Sequence, residues 1–295
     1  MENRFEAKDT LAKDLLKMLE KGSQHDVLIK LSDGVMNANK DILRARSDYF
    51  DTMFSNDNFV EGETNTVDMS HCSKAVMESI IRFLFSGIVT FEELSLAQCL
   101  ELSYMSEMML FDKLHDKVED ICVDKVCDAR KDVHFFCELI QGLEFADKYN
   151  HSSIVGWIVS EIALYMKNIL NDVESSDSFR TLPFHWMKDI VKYQIDDCIV
   201  MSNRSTFEIF ESFGFWLSEN EVTEDEKKEI ADIVDVNFED FSVEELLSSV
   251  RDSGLYPGSK IDNRVLEIVK KKVLNIKEKD LRIKEQDSKI KQLER

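Results

Sequence analysis

Histidine, cysteine and carboxylate are the side chains in this chain with chemistry to offer, and their spacing decides what that chemistry is. Cys122 and Cys127 form a Cys-x4-Cys pair near His115 and His134, a mixture of thiols and imidazoles of the kind that holds zinc. Structural zinc sites draw their cysteines from tighter pairs, and these two lie among Ile121, Val123 and Val126 at helical spacing. They read as reduced, mostly buried thiols, as do Cys72, Cys99, Cys137 and Cys198, and no metal is expected. The six histidines, at 25, 71, 115, 134, 151 and 185, are dispersed over separate elements, and none sits in a nucleophile motif with serine or cysteine. The sequence has no phosphate loop, no Gly-x-Gly-x-x-Gly and no His-Glu-x-x-His. Acid pairs such as Glu92-Glu93 and Asp196-Asp197 follow from an excess of 58 acidic over 37 basic residues. No catalytic residue and no cofactor is expected. The chain reads as non-enzymatic, and its work as noncovalent contact.

The elements that would position such contacts follow from the composition. A length of 295 residues allows two domains with separate cores. The net charge of −21 repels phosphate backbones, so nucleic acid is not an expected partner. MENRFEAKDT lacks an apolar leader, and no apolar run nears the roughly 20 residues that span a bilayer. The expected location is therefore the cytoplasm or the nucleus, with no membrane partner. Only Pro183 and Pro257 interrupt the chain as prolines, and four of the nine glycines precede residue 90, so the remainder can run as helices.

Leu11, Leu15, Met18 and Leu19 place one apolar face on a helix over residues 5–20, which Gly22 ends. That face needs a surface to lie on, either a second copy or its own domain. Val27, Ile29 and Leu31 alternate as a half-buried strand, Ser32-Asp33-Gly34 is a hairpin turn, and Val35, Met36 and Ala38 form the return strand. A helical pair follows with Ile42, Leu43, Tyr49, Phe50, Met53 and Phe54 inward. A short strand at 64–69 precedes a helix over 73–85 whose face is Val76, Ile80, Ile81, Leu84 and Phe85. Helices are predicted over 94–103 and 107–121, and then, after the polar break at 128–132, over 133–148, 151–170, 182–200, 205–218, 224–234 and 243–252. The fold class is an α+β N-terminal domain, a short β-cluster with helix hairpins, followed by an all-α domain and a C-terminal helix.

Residues 25–121 resemble the BTB/POZ family. The resemblance rests on His25-Asp26-Val27, Asn37 to Lys40, Ile-Leu-x-x-x-Ser-x-Tyr-Phe across 42–50, the Phe-x-Phe-Ser-Gly turn at 83–87 and the helix hairpin text at 100–114. Histidines are usual where Asn37 and Asn39 stand, and arginine where Lys40 stands. The second half resembles the BACK domain of kelch-type adaptors in GLEFADKYNHSSIV, LPFHWMKDIV, FEIFESFGFWL and VNFEDFSVEELLSSVRDSGL. No kelch repeat, MATH domain or zinc finger stands within the sequence. The expected organisation is a dimerisation helix at 1–21, BTB/POZ at 22–127, BACK at 128–260 and a basic C-terminal helix at 261–295.

The resemblance implies a homodimer in which the helix bearing Leu11, Leu15, Met18 and Leu19 packs across a two-fold axis. Asp26 and Lys40 stand where the family has a charged pocket at the dimer floor; the alternative is that Asp26 bonds backbone amides at the strand start. Phe59-Val60-Glu61 matches the pattern, apolar-x-Glu, by which many BTB adaptors engage the cullin-3 ubiquitin-ligase scaffold, unless Phe59 folds onto its own core. His71, Met109 and Leu110 fall where the family's cullin surface lies. The function implied is a substrate adaptor for a cullin-3 ubiquitin ligase, with an unknown substrate protein. The alternative is a dimeric scaffold, transcriptional or cytoskeletal, that binds no cullin.

The tail has its own pattern. Val269, Ile276, Ile283 and Ile290 recur every seven residues with Leu266 and Val273 between them, a coiled-coil seam that Asp280 and Asp287 then interrupt. From Arg264 onward there are 11 basic and 6 acidic residues, a basic segment in an acidic chain. Self-pairing is expected of the first two heptads only; the basic helix otherwise lies on the acidic body or reaches an acidic partner. An ordered helix is expected over 262–278, fraying beyond it.

Overall fold

Alternating aliphatic residues and an Asp-Gly turn make a hairpin, and in the computed structural model β1 (Val27–Leu31) and β2 (Gly34–Ala38) pair antiparallel, Val27 opposite Ala38 and Leu31 opposite Gly34. The structure describes residues 8–22, 24–55, 59–128, 135–200, 206–217, 220–234, 246–251, 253–256 and, with interruptions, 258–279. Contacts divide the chain into two compact units, one through Glu161 and one from Ile162, later than the boundary drawn in the sequence at residue 128.

In the first unit β1 is central. It pairs on its other edge, in parallel, with β3 (Thr66–Met69), giving the order β2-β1-β3. A parallel partner requires a crossover, supplied by α2 (Lys40–Arg46), α3 (Asp48–Ser55) and the short α4 (Val60–Thr64). Val27, Ile29, Val67 and Met69 from the sheet and Leu43 and Phe50 from the helices are buried together with the face of α5 (Lys74–Ser86), where Val76, Ile80, Ile81, Leu84 and Phe85 are all at 2% exposure or below. Gly87 ends α5 in a left-handed conformation (φ 75°), its N–H returning to the Phe83 carbonyl at 2.7 Å. The helix α1 (Lys8–Glu20) lies against α5.

The helix hairpin that follows is α6 (Leu96–Met108) and α7 (Asp112–Asp128). Ser95 and Gln98 cap α6 reciprocally. The predicted second helix, 107–121, is corrected at both ends: residues 107 and 108 close α6, and α7 runs on to Asp128. The reason is a left-handed turn at Leu110 (φ 60°), where the Phe111 N–H reaches back to the Ser106 carbonyl at 2.8 Å. Nothing in the residue type announces it, because leucine rarely adopts that conformation. α8 (Phe135–Lys148) packs on α6 through Gly142, where a Cβ would lie 2.8 Å from a Leu96 methyl, and Glu138 accepts the Leu96 N–H. α9 (Ser152–Leu164) begins in this unit.

The second unit is helical throughout its described residues: α10 (Met166–Asn171), α11 (Val173–Arg180), α12 (Phe184–Val200), α13 (Thr206–Leu217), α14 (Glu224–Val234), a π-turn at Leu246–Val250 and a helical stretch through 260–272. Its core holds Met187, Ile190, Val191, Phe210, Phe213 and Trp216, and the Trp216 indole donates to the Leu182 carbonyl at 2.8 Å. The single helix predicted over 151–170 is broken by a turn at Tyr165, and α11 was not predicted. Its sequence, VESSDSFR, carries no apolar period; it forms because the Asp172 side chain accepts the Ser175 N–H at 2.9 Å and Phe179 is fully buried. Much of the stretch 236–255 and the tail beyond 280 lie outside the described residues.

Candidate protein-interaction site

The exposed residues of the first unit are set by buried polar ties beneath them. Asp26 accepts the backbone N–H of Lys40 at 2.7 Å. The Lys40 ammonium turns the other way. It donates to the Asn65 side chain at 2.7 Å and the Gly62 carbonyl at 3.2 Å, and it sits 5.0 Å over the Phe54 ring. Asn65 ends α4 in a left-handed conformation (φ 52°), so Lys40 places a cation at the negative end of that short helix. Gly62 is close against the end of α3, where a Cβ would come 3.2 Å from the Phe54 carbonyl oxygen. In this chain Asp26 acts on neighbouring backbone and Lys40 on α4.

The helix so fixed carries the acidic motif. Phe59 stands at its N-cap, 41% exposed, and is not folded onto the core; Val60 beside it is 67% exposed. Glu61 is half-buried. Burial, and then the Glu61 charge, hold the Tyr49 hydroxyl above its usual range.

The loop after β3 carries His71, which is exposed. Asp68 accepts both the N–H and the hydroxyl of Ser70, bonds that lower its carboxyl pKa. At the far end of the loop the buried Glu101 of α6 accepts the Ser73 N–H at 2.7 Å and the Ser73 hydroxyl at 2.6 Å, tying α6 to the start of α5. The Cys72 thiol is pushed up to about 12, chiefly by burial and next by Glu101, and is inert at neutral pH.

Of the pair at the α6–α7 turn, Met109 is buried at 1% exposure and offers no surface, whereas Leu110 is 73% exposed. Met109 is thereby removed from the expected contact set. Leu110 takes its left-handed backbone as the residue that closes α6, and its side chain is left in water. Its position was read from the resemblance; its strain had no signal in the sequence.

On α1, Leu15, Leu16, Met18 and Leu19 are half-buried against the chain and Leu11 is 62% exposed. Cys122 hydrogen-bonds Cys99 of the facing helix, and that bond together with burial raises its pKa. The His115 ring meets the Ser103 hydroxyl at 3.1 Å. His134 lies outside the described residues, and among the described residues no three metal-binding side chains come together.

The small sheet and its helix hairpins agree with a family comparison: residues 15–125 match the BTB/POZ domain. Such domains mediate self-association and binding to other proteins. Over this region the chain is 33% identical across 85 residues to the human zinc finger and BTB domain-containing protein 21, covering 28% of this chain and 8% of that one. It is 36% identical across 84 residues to a BTB/POZ domain-containing protein of Arabidopsis thaliana, covering 28% of this chain and 25% of that one. It is 35% identical across 72 residues to the human Rho-related BTB domain-containing protein 2, covering 24% and 10%. The match thus spans a quarter or less of the length of each of these relatives.

Proposed function

We propose that this protein is a homodimeric adaptor of the cytoplasm or nucleus that grips a cullin-3 ubiquitin-ligase scaffold through its BTB/POZ domain. In this reading residues 128–260 act as a BACK domain that holds out a substrate protein. The observation that carries it is the exposed Phe59 at the head of α4, with Glu61 one helical step on and Lys40 bracing the helix from below. Leu110 and His71, both exposed, are further contacts of the cullin surface. Dimerisation is supported by α1, whose Leu11 is 62% exposed in the single chain.

The test is co-elution of the recombinant protein with the N-terminal region of cullin-3. Wild type is expected to co-elute, and Phe59→Ala to weaken binding by about 2 kcal/mol, roughly thirtyfold, without loss of thermal stability. Equal binding by a Phe59→Ala/Glu61→Ala protein would remove the motif from the mechanism. Failure of the wild type to co-elute would leave the dimeric scaffold without cullin as the reading.

A further inference from the structure

The hairpin leaves one edge of the sheet open. β2 is an outer strand in the order β2-β1-β3, and among the described residues no strand pairs with its far edge. Its register says which groups lie there. The turn closes on the hydrogen-bonded pair Leu31 and Gly34, so Ile29 with Met36 and Val27 with Ala38 exchange backbone bonds as well. The residues between them point their amides away from the hairpin. On β1 this shows directly: the Leu28 N–H donates to the Asn65 carbonyl, beside β3, at 2.9 Å. By the same alternation Val35 and Asn37 present N–H and C=O to the free edge of β2.

Open edges are ordinarily guarded by charge or proline. β2 reads Gly-Val-Met-Asn-Ala and has neither, and Val35 is 55% exposed. A cleft of about 260 Å³ opens beside it. Val35, Met36 and Asn37 all border this cleft, as consecutive residues of a strand do when a cleft runs along its edge. The opposite wall is an exposed row on α5, Lys74, Glu78 and Arg82, at four-residue spacing. Glu20 of α1 closes one end, 4.0 Å from Arg82. The Lys74 ammonium and the Glu78 carboxylate have no ion-pair partner among the described residues. His25 also lines the cleft, and its Nε2 is buried with no hydrogen-bond partner among the described residues.

A strand added to this edge finds backbone bonds and a side-chain seat together. In an antiparallel pairing its residues opposite Val35 and Asn37 would exchange backbone bonds with them. The residue between, opposite Met36, would turn its side chain to the face on which α5 lies, and so into the cleft. Two cations and two anions line that cleft, so a charged guest of either sign meets its like. A primary amide meets neither objection: it can donate to Glu78 and accept from Lys74 or His25. Pairing with β2 of a second copy would put methionine there instead, and leave those polar groups unmet.

We propose that the free edge of β2 receives an extended segment of another protein, paired antiparallel, with a glutamine seated in the cleft opposite Met36. The site is separate from Phe59 and does not depend on whether cullin-3 is bound.

The experiment uses the full chain and a fluorescein-labelled peptide, Ser-Thr-Val-Gln-Val-Thr-Ser, followed by anisotropy. One control carries N-methyl groups on both valines, and another has leucine in place of glutamine. The parent peptide should bind saturably and each control about tenfold more weakly. Val35→Pro removes an outward N–H at an edge, where proline is tolerated, and Glu78→Ala changes an exposed side chain. Each should weaken the parent peptide by about tenfold with an unchanged melt. The N-methylated control decides the backbone part even where Val35→Pro lowers stability. Absence of saturable binding, or equal binding of the N-methylated peptide, would overturn the proposal. Equal binding of the leucine peptide would overturn the glutamine seat. A fall in sedimentation mass caused by Val35→Pro would overturn it in favour of a second copy.

Discussion

Two amphipathic helices, α1 and the stretch through 260–272, each leave aliphatic side chains in water, yet their borders differ. α1 mixes its charges: Lys8, Lys13 and Lys17 alternate with Asp9, Asp14 and Glu20, and Lys17 lies 3.7 Å from Asp14. The other is edged by lysine on both sides of Leu266 and Val269. Apolar area alone drives association without choosing a partner; charge at the edges chooses. A helix of mixed sign can meet its own copy without like-charge cost, whereas a lysine-bordered one cannot.

The comparison breaks first if α1 depends on its seat. Glu101 holds the start of α5, on which α1 lies, through two short bonds to Ser73. Glu101→Ala should cost about 2–3 kcal/mol, the worth of hydrogen bonds to a buried charge. Denaturant unfolding would show it. A loss below the error of the measurement would mean that α5 needs no such tie.

Leu11→Asp is the sharper probe of self-association. Leu11 is largely exposed in the single chain, so the monomer should keep its melting temperature. A dimer that buries Leu11 should weaken by about 1.5–3 kcal/mol, which light scattering across a dilution series would read as a shift toward monomer. A wild-type protein that is monomeric throughout that series would end the assignment of α1 as a dimer surface.

The smallest expected effect extends the comparison to a third exposed leucine. Leu110→Gly should stabilise the fold by about 1 kcal/mol, since the left-handed backbone costs leucine and not glycine. The same change should weaken cullin-3 binding if Leu110 is kept for contact. Gain of stability with unchanged binding would assign the strain no role in recognition.

Much of this was legible in the sequence, and particular residues show why. Val27, Ile29 and Leu31 alternate beside an Asp-Gly turn, and the face of α5 repeats at helical spacing, so hairpin, helix and core were all foreseeable. The left-handed Leu110, the helix α11 and the break at Tyr165 were not, because each depends on contacts that leave no periodicity behind. Met109 and Leu110 look alike as text; only the turn between α6 and α7 decides that one is buried and the other bare.

What the sequence determined alone was the class: strand and helix periods, and an excess of acidic over basic residues. Those follow from residue type and spacing, which are local. The tertiary structure decided the rest. It turned the Lys40 ammonium toward α4, placed Glu101 under the start of α5, and left Phe59, Leu110, Leu266 and Val269 in water. Burial and hydrogen-bond partnership are properties of residues far apart in the chain, and only the packed fold brings them together.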